Sequence, residues 1–174
     1  MPGKNKEMYS LDWKIGFTGP ESSGKTTLVN WLAEELKLSV SPEFARSYLA
    51  INPSYSQDTL AFMAQRQFNE NNKAQICDTE MLVFYVWSTE KYGQVSPLIQ
   101  ELLKEQRIHH YFLCAPDIPW EKDPLRENPH DRERLFDCYK NLLEEWRLPF
   151  SVLKGSLDQR KSMIITQLDK LKNR

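Results

Sequence analysis

The sequence is poor in cysteine and almost without net charge, and both features exclude classes of function. Its three cysteines, Cys77, Cys114 and Cys138, form no C-x-x-C pair, which argues against a zinc knuckle and favours reduced thiols. A formal net charge of −1 leaves no broad basic surface for nucleic acid. The sequence shows neither the apolar stretch of a signal peptide nor a run long enough to span a bilayer. We therefore expect a cytoplasmic protein with neither nucleic-acid nor membrane partners.

Short apolar segments alternate with helical patterns along the chain. Strands are predicted at residues 13–18, 38–41, 75–78, 110–115 and 150–154. Strands that alternate with helices usually form a parallel sheet covered on both faces, so the sequence predicts an α/β fold. We expect three layers with about five mostly parallel strands. The 174 residues suit one domain, 1–174, with little room for a second.

Several predicted helices begin at residues that favour helix N-termini. These residues are Pro42, Ser56, Thr79, Ser96, Asn128 with Pro129, and Ser156. Ser156 together with Gln159 forms the pattern of a capping box. Each helix is thus expected to follow a strand or a short turn, as the alternating α/β pattern requires.

Half of the six glycines lie in one short stretch, at positions 16, 19 and 24. Residues 19–26, GPESSGKT, fit the P-loop pattern G-x-x-x-x-G-K-[ST] and lie between an apolar strand and an amphipathic helix. In such a loop backbone N–H groups surround a phosphate, and glycine is required where side chains would clash. We expect ATP contacts from Gly19, Pro20, Glu21, Ser22, Ser23, Gly24, Lys25, Thr26 and Thr27.

Two P-loop side chains have distinct expected roles. Lys25 would place its charge on the β- and γ-phosphates of ATP, and the Thr26 hydroxyl would bind Mg²⁺.

Asp78 ends the predicted third strand, where P-loop proteins usually carry a second acidic residue near the metal. Its alternative role is that of a helix N-terminal acid beside Thr79. Glu80 is the weaker metal candidate.

Other classes of P-loop protein fit the sequence less well. No aspartate is followed by glycine three residues later, and Asn72-Lys73 is followed by Ala74-Gln75, so the two GTPase motifs are missing. The adjacent Asp-Glu pair typical of AAA-type ATPases is also missing. These absences favour a small-molecule kinase, which needs an acceptor site and a cationic lid.

Two further segments suit such a kinase. Glu43 and Arg46 follow the second strand and should face the edge of the sheet where ligands bind, although an exposed ion pair on a helix explains them equally well. Residues 116–134 are predicted to form a small lid. Within it Arg126 is the first candidate for a cation over the phosphates and Arg132 the second, with a solvated charged segment as the alternative.

Four segments together resemble the ribosylnicotinamide kinase domain of NadR-type proteins. They are GPESSGKTTL, EFAR at 43–46, ICDTE at 76–80 and PDIPWEKDPLR at 116–126. The resemblance extends over about residues 13–170 and implies a nucleoside-kinase-like fold that transfers the ATP γ-phosphoryl group to the 5′-hydroxyl of nicotinamide riboside. The chain lacks the H-x-G-H motif of the adenylyltransferase domain that usually precedes this kinase and has no space for it, so we expect a stand-alone kinase.

The resemblance also implies roles for individual residues. It assigns residues 19–27 to ATP, Asp78 with the P-loop threonine to Mg²⁺ or the ribose region, Glu43 and Arg46 to the acceptor, and Arg126 to the lid. Either carboxylate, Glu43 or Asp78, would orient or deprotonate the acceptor hydroxyl. An ATP-dependent regulatory module without an acceptor, and a kinase for another nucleoside or metabolite, remain alternatives. The sequence predicts no oligomeric state.

Overall fold

The fold is described by a computed structural model that covers residues 13–123 and 130–172. Five parallel strands form one sheet in the order β2-β3-β1-β4-β5. The strands are β1 (Ile15–Thr18), β2 (Val40–Ser41), β3 (Ile76–Cys77), β4 (His110–Cys114) and β5 (Phe150–Leu153). The helices are α1 (Lys25–Leu36), α2 (Phe44–Ile51), α3 (Gln57–Asn71), α4 (Met81–Tyr92), α5 (Pro97–Glu105), α6 (Arg132–Glu145) and α7 (Leu157–Lys172). The predicted five-stranded parallel sheet is confirmed.

Helices cover both faces of the sheet, as the alternation of side chains along β4 shows. Phe112 and Cys114 pack in a cluster with α1 and α7, whereas Tyr111 and Leu113 pack in a cluster with α4 and α6. Successive side chains of a strand point to opposite faces, so both faces of β4 are buried. The three-layer arrangement predicted from the sequence follows from this alternation. In the described parts of the chain no helix is both long and apolar enough to cross a membrane.

The strand order places a crevice at the carboxyl end of β1. β1 lies between β3 and β4, and its register pairs Ile15 with Ile76 on one side and with His110 on the other. The chain leaves β1 toward β2 at one edge of the sheet and leaves β4 toward β5 at the other edge. Ligands of open α/β sheets bind where the connections diverge in this way. That point is also where the glycine-rich loop begins.

Three of the six predicted helix starts are confirmed by side-chain caps. The Ser56 hydroxyl accepts a hydrogen bond from the Thr59 N–H at 3.2 Å, and Ser96 caps α5 in the same way. At α7 the Gln159 N–H donates to the Ser156 hydroxyl at 3.3 Å, and the Ser156 N–H donates to Gln159 Oε1 at 2.8 Å. Both halves of the capping box are therefore formed.

Two of the predicted helix starts are wrong by one or two residues. The α4 cap is Glu80 rather than Thr79, because the Glu80 carboxylate accepts the Leu82 N–H at 2.6 Å. α2 begins at Phe44, so Pro42 precedes the helix rather than lying in its first turn. The predicted start at 128–129 lies outside the described residues, within which α6 begins at Arg132 with Asp131 as its N-cap residue.

A buried amide network fixes the N-terminus of α2 beside the sheet. Gln67 is fully buried, and its Nε2 donates to Ser41 Oγ and to Asn71 Oδ1, both at 2.9 Å. Its Oε1 accepts the Phe44 N–H at 2.7 Å. Asn71 in turn donates to the Thr79 carbonyl at 3.0 Å. The network thus ties β2 and α3 to the N-terminus of α2 and to the loop after β3, beside which the predicted acceptor residues Glu43, Arg46 and Asp78 lie.

Replacing Gln67 with leucine should lower the free energy of unfolding by about 3 kcal/mol, because several buried polar groups lose their partners at once. Chemical denaturation of the variant and the wild type measures this difference. The matched control is Gln65→Leu, since the side chain of Gln65 donates to Asn69 Oδ1 at 3.2 Å at the solvent-exposed side of α3. Equal losses of unfolding free energy in the two variants would show that the buried network stabilises the fold no more than an exposed hydrogen bond does.

Candidate functional site

The loop between β1 and α1 has the backbone geometry of an anion-binding loop. Gly19 has φ +125°, and a Cβ there would lie 2.7 Å from the carbonyl oxygen of Cys114. Gly24 has φ +84° and is the N-cap residue of α1. Glycine is therefore required at both positions, by close approach to β4 at the first and by conformation at the second. The two glycines of the P-loop pattern occupy the two positions that need them.

The N-terminus of α1 provides hydrogen-bond donors for phosphate. The first helical bond runs from the Leu28 N–H to the Gly24 carbonyl at 3.2 Å, and the amides before Leu28 precede this bond. The helix dipole adds partial positive charge at the same end. Lys25 Nζ lies across the loop, where it donates to the carbonyls of Gly19 at 2.8 Å and Pro20 at 2.7 Å. The loop therefore presents amides and one ammonium group to the same small space, which fits a nucleotide's phosphates.

Thr26 and Asp78 lie together at the edge of this loop. The Thr26 hydroxyl donates to Asp78 Oδ2 at 2.8 Å, and Asp78 is 5% exposed. Burial raises the pKa of Asp78, while the bond from Thr26 and the charge of Lys25 act in the opposite direction. A hydroxyl and a carboxylate are suitable Mg²⁺ ligands. Among the residues of known position no group of three or more His, Cys, Asp or Glu could hold a metal, so nucleotide oxygens or water would complete the coordination.

Glu80, the weaker metal candidate, has a structural role in the core. Its Oε2 accepts hydrogen bonds from the Leu82 N–H and from Gln106 Nε2, the latter at 3.2 Å. The side chain is fully buried, and burial raises its pKa. Glu80 thus caps α4, whereas Asp78 contacts the P-loop.

A cleft of about 400 Å³ extends from the P-loop over α2 and α4. Glu43 and Arg46 both line it. They also form the ion pair considered from the sequence, with 3.5 Å between Arg46 Nε and Glu43 Oε2. Arg46 Nη1 donates to Asp123 Oδ2 at 2.7 Å, and this bond raises the pKa of Arg46. The ion pair therefore forms and both residues line the cleft, whereas their contact with an acceptor stays a prediction.

Sequence reasoning missed the contribution of α4 to this cleft. Val83, Trp87 and Glu90 all line it, at the three- and four-residue spacing of one helix face. Trp87 Nε1 donates to the Tyr55 hydroxyl at 2.8 Å, which fixes the orientation of the indole ring. The signal was available, because α4 begins three residues after Asp78, so this helix must border the site.

The described parts of the predicted lid pack on the P-loop. Arg132 Nη1 donates to the Ser22 carbonyl at 2.9 Å, and its Nη2 donates to the Ile118 carbonyl at 3.0 Å. The same guanidinium lies over the ring of Trp120, with 5.6 Å to the ring centroid. Arg126 lies outside the described residues. Arg132 is therefore held beside the P-loop by backbone carbonyls, and its contact with a nucleotide stays a prediction.

Arg134 lies on a different side of α6 from Arg132. It lines the cleft and bonds the carboxylates of Glu90 and Asp131. The bond to Glu90 ties α6 to α4 across the mouth of the cleft. Two residues apart on a helix, the two arginines point in divergent directions. Arg134 accordingly lines the cleft, whereas Arg132 contacts the backbone of the P-loop.

The comparisons with known proteins agree on a P-loop domain. A family described as "AAA domain" matches residues 14–160. The sequence of "Trifunctional NAD biosynthesis/regulator protein NadR" from Escherichia coli (strain K12) is 27% identical over 150 residues. That match covers 78% of this chain and 37% of the relative. This chain therefore spans well under half the length of that curated relative.

Solved structures of similar fold include NadR and a nucleotide kinase. A crystal structure of NadR protein in complex with NR has a TM-score of 0.79 and 21% identity, covering 91% of this chain and 50% of that chain. Thymidylate kinase from Ehrlichia chaffeensis has a TM-score of 0.64 and 18% identity, covering 90% of this chain and 98% of that chain. The resemblance to NadR seen in the sequence and the kinase-like P-loop fold are both confirmed.

Proposed function

Because this chain belongs to the AAA domain family and its P-loop opens into a cleft that continues beyond the loop with a different lining, we propose that it is an ATP- and Mg²⁺-dependent kinase of a nucleoside-like small molecule. The observation that carries the proposal is the shared cleft. The P-loop lines one part of it, and Glu43, Arg46 and Trp87 line another. A regulatory ATPase needs only the first part, whereas a kinase needs room for an acceptor beside the phosphates.

The chain's own residues supply positioning and charge. The P-loop amides and Lys25 would bind the phosphates, and Thr26 and Asp78 would be ligands of Mg²⁺. When bound, MgATP supplies the phosphoryl group that is transferred. Phosphoryl transfer has a loose transition state, so fixed positive charge and alignment contribute more than the strength of a base. Glu43 would orient the acceptor hydroxyl and accept its proton, with Asp78 as the alternative base.

Nicotinamide riboside is the acceptor that we propose. The indole of Trp87 lines the cleft and offers an aromatic face to a cationic pyridinium ring. The carboxylates of Glu43 and Glu90 line the same cleft, but each is paired with an arginine, so the aromatic contact carries this part of the proposal. The similarity of this chain to NadR proteins, one of which was crystallised in complex with NR, supports the same choice. On this proposal the product is nicotinamide mononucleotide, and the role is in NAD salvage.

A nucleoside screen tests the function. The purified chain is incubated with MgATP and one nucleoside at a time, and ADP release and the mass of the product are measured. We expect nicotinamide riboside to raise ADP release well above the background hydrolysis and to gain one phosphoryl group. Stimulation by another nucleoside alone would replace the proposed acceptor. Unchanged ATP hydrolysis with every nucleoside would contradict the kinase proposal and favour a regulatory ATPase.

Replacing Glu43 with glutamine should lower kcat by about a hundredfold while the dissociation constant for ATP stays within about twofold of the wild-type value. The amide keeps the shape of the side chain but cannot accept the proton of the hydroxyl. Steady-state kinetics and ATP titration measure the two quantities separately.

The matched control for this variant is Glu70→Gln. Glu70 forms an exposed ion pair of the same spacing with Lys73, at 3.0 Å, away from the cleft. The control should leave both quantities unchanged. If Glu43→Gln behaves like the control, Glu43 is only a surface ion-pair partner and Asp78 becomes the base.

A further inference from the structure

Arg160, on α7, is a charged side chain with only 2% exposure. Its Nη1 donates to the Ser23 carbonyl at 2.7 Å, its Nη2 to the Ala115 carbonyl at 2.9 Å and its Nε to the Gly155 carbonyl at 3.1 Å. The carboxylate of Asp117 also accepts a bond from Nη2. A buried guanidinium is tolerated only where such partners replace its hydration. Arg160 thus joins the P-loop, the end of β4 and the loop between β5 and α7.

The bond to the Ser23 carbonyl also determines the direction of the next amide of the P-loop, the Gly24 N–H. The described part of the chain contains no cis peptide bond, so the Ser23–Gly24 peptide is trans and planar. Its carbonyl and the Gly24 N–H therefore point in opposite directions. Arg160 holds the carbonyl from the buried side, whereas Gly24 lines the cleft and Arg160 does not. The Gly24 N–H consequently faces the cleft.

We infer that Arg160 is a positioning residue for nucleotide binding, because it fixes the peptide plane that directs the Gly24 N–H toward the phosphates. The inference rests on the proposed function in one respect, namely that the P-loop binds ATP. Arg160 itself does not touch the nucleotide. A second P-loop carbonyl, that of Ser22, is held in the same way by Arg132. Two arginines from different helices therefore hold consecutive peptide planes of the loop.

Asp117 is the second member of the arrangement. Its Oδ2 accepts the Gly155 N–H at 2.6 Å, while its other carboxylate oxygen bonds Arg160. The carboxylate supplies the charge that offsets the buried guanidinium and fixes its rotation. Asp117 therefore orients Arg160 without reaching the P-loop, and its replacement should have a milder form of the same effect.

The test measures MgATP binding without any acceptor, by titration calorimetry, at a temperature where circular dichroism shows each variant to be folded. Arg160→Lys keeps the charge but cannot reproduce the planar set of donors, and we expect its dissociation constant to rise about tenfold. For Asp117→Asn we expect a rise of about threefold. In both variants the KM for the acceptor should stay within about twofold of the wild-type value. Arg107→Lys, at an exposed arginine before β4, is the matched control and should match the wild type.

A purely structural role for Arg160 gives a different result. It predicts lower melting temperatures for both variants with the MgATP dissociation constant unchanged, and that outcome would overturn the inference. If Arg160→Lys does not fold, Asp117→Asn decides in the same way. A wild type that binds MgATP but phosphorylates no nucleoside would contradict the kinase proposal alone, because the inference is judged on binding. A wild type that does not bind MgATP would contradict both.

Discussion

Replacement of Lys25 with alanine is expected to lower kcat for phosphoryl transfer about a thousandfold while the protein stays folded. The proposed role of Lys25 is to offset the negative charge that spreads over the transferred group, and losing such a charge in a preorganised site costs about 4 kcal/mol of transition-state stabilisation. In the structure its ammonium lies inside the P-loop, on the carbonyls of Gly19 and Pro20. Both carbonyls are near the cleft, where water can replace the lost donor.

The comparison that isolates this effect uses a second lysine. Lys73 is exposed and forms only a surface ion pair with Glu70, so Lys73→Ala removes the same charge far from the P-loop. Initial rates at saturating nucleoside and melting temperatures are measured for both variants. Lys25→Ala should lose turnover with a change in unfolding free energy of about 1 kcal/mol or less. Retention of more than a tenth of the wild-type turnover by Lys25→Ala would contradict the proposed mechanism.

The sequence predicted the features that depend on local patterns. The five strands were found because each is a short apolar run bounded by turns, and the P-loop because its glycines and lysine have fixed spacing. Asp78 was selected for its place at the carboxyl end of a predicted strand, and in the structure it bonds Thr26. The capping box of Ser156 and Gln159 was also predictable, since both residues lie within one turn.

The features that sequence reasoning missed depend on how distant elements pack. Arg160 and Ser23 are separated by 137 positions, and no local pattern relates a buried arginine of the last helix to a loop near the first strand. Trp87 was missed for a similar reason, because its role depends on which face of α4 borders the cleft. The error at Thr79 has another cause. Thr79 and Glu80 were both possible N-cap residues of α4. The cap is Glu80 because its buried carboxylate accepts a hydrogen bond from the Leu82 N–H.

A substitution at Asp78 should separate function from stability more sharply than any other in the site. Asp78→Asn is expected to lower kcat by about a hundredfold or more, because a neutral amide is a poor Mg²⁺ ligand. The same change should raise the melting temperature at neutral pH. The amide oxygen of the new side chain can still accept the hydrogen bond from Thr26, while the buried negative charge is removed.

The pH dependence of the melting temperature tests the direction of this stability change independently. Burial raises the folded-state pKa of Asp78 above its ordinary value of 3.8, so the folded protein binds this proton more tightly than the unfolded chain does. The ionised carboxylate therefore costs folding free energy, and the cost appears as pH rises from 3.8 through the raised pKa. The gain in melting temperature of Asp78→Asn over the wild type should be largest at pH 7 and should shrink as pH falls toward about 4. Asp137→Asn, at an exposed position on α6, is the control and should show no such trend. A gain that is absent at neutral pH, or that grows as pH falls, would contradict a buried charge at Asp78.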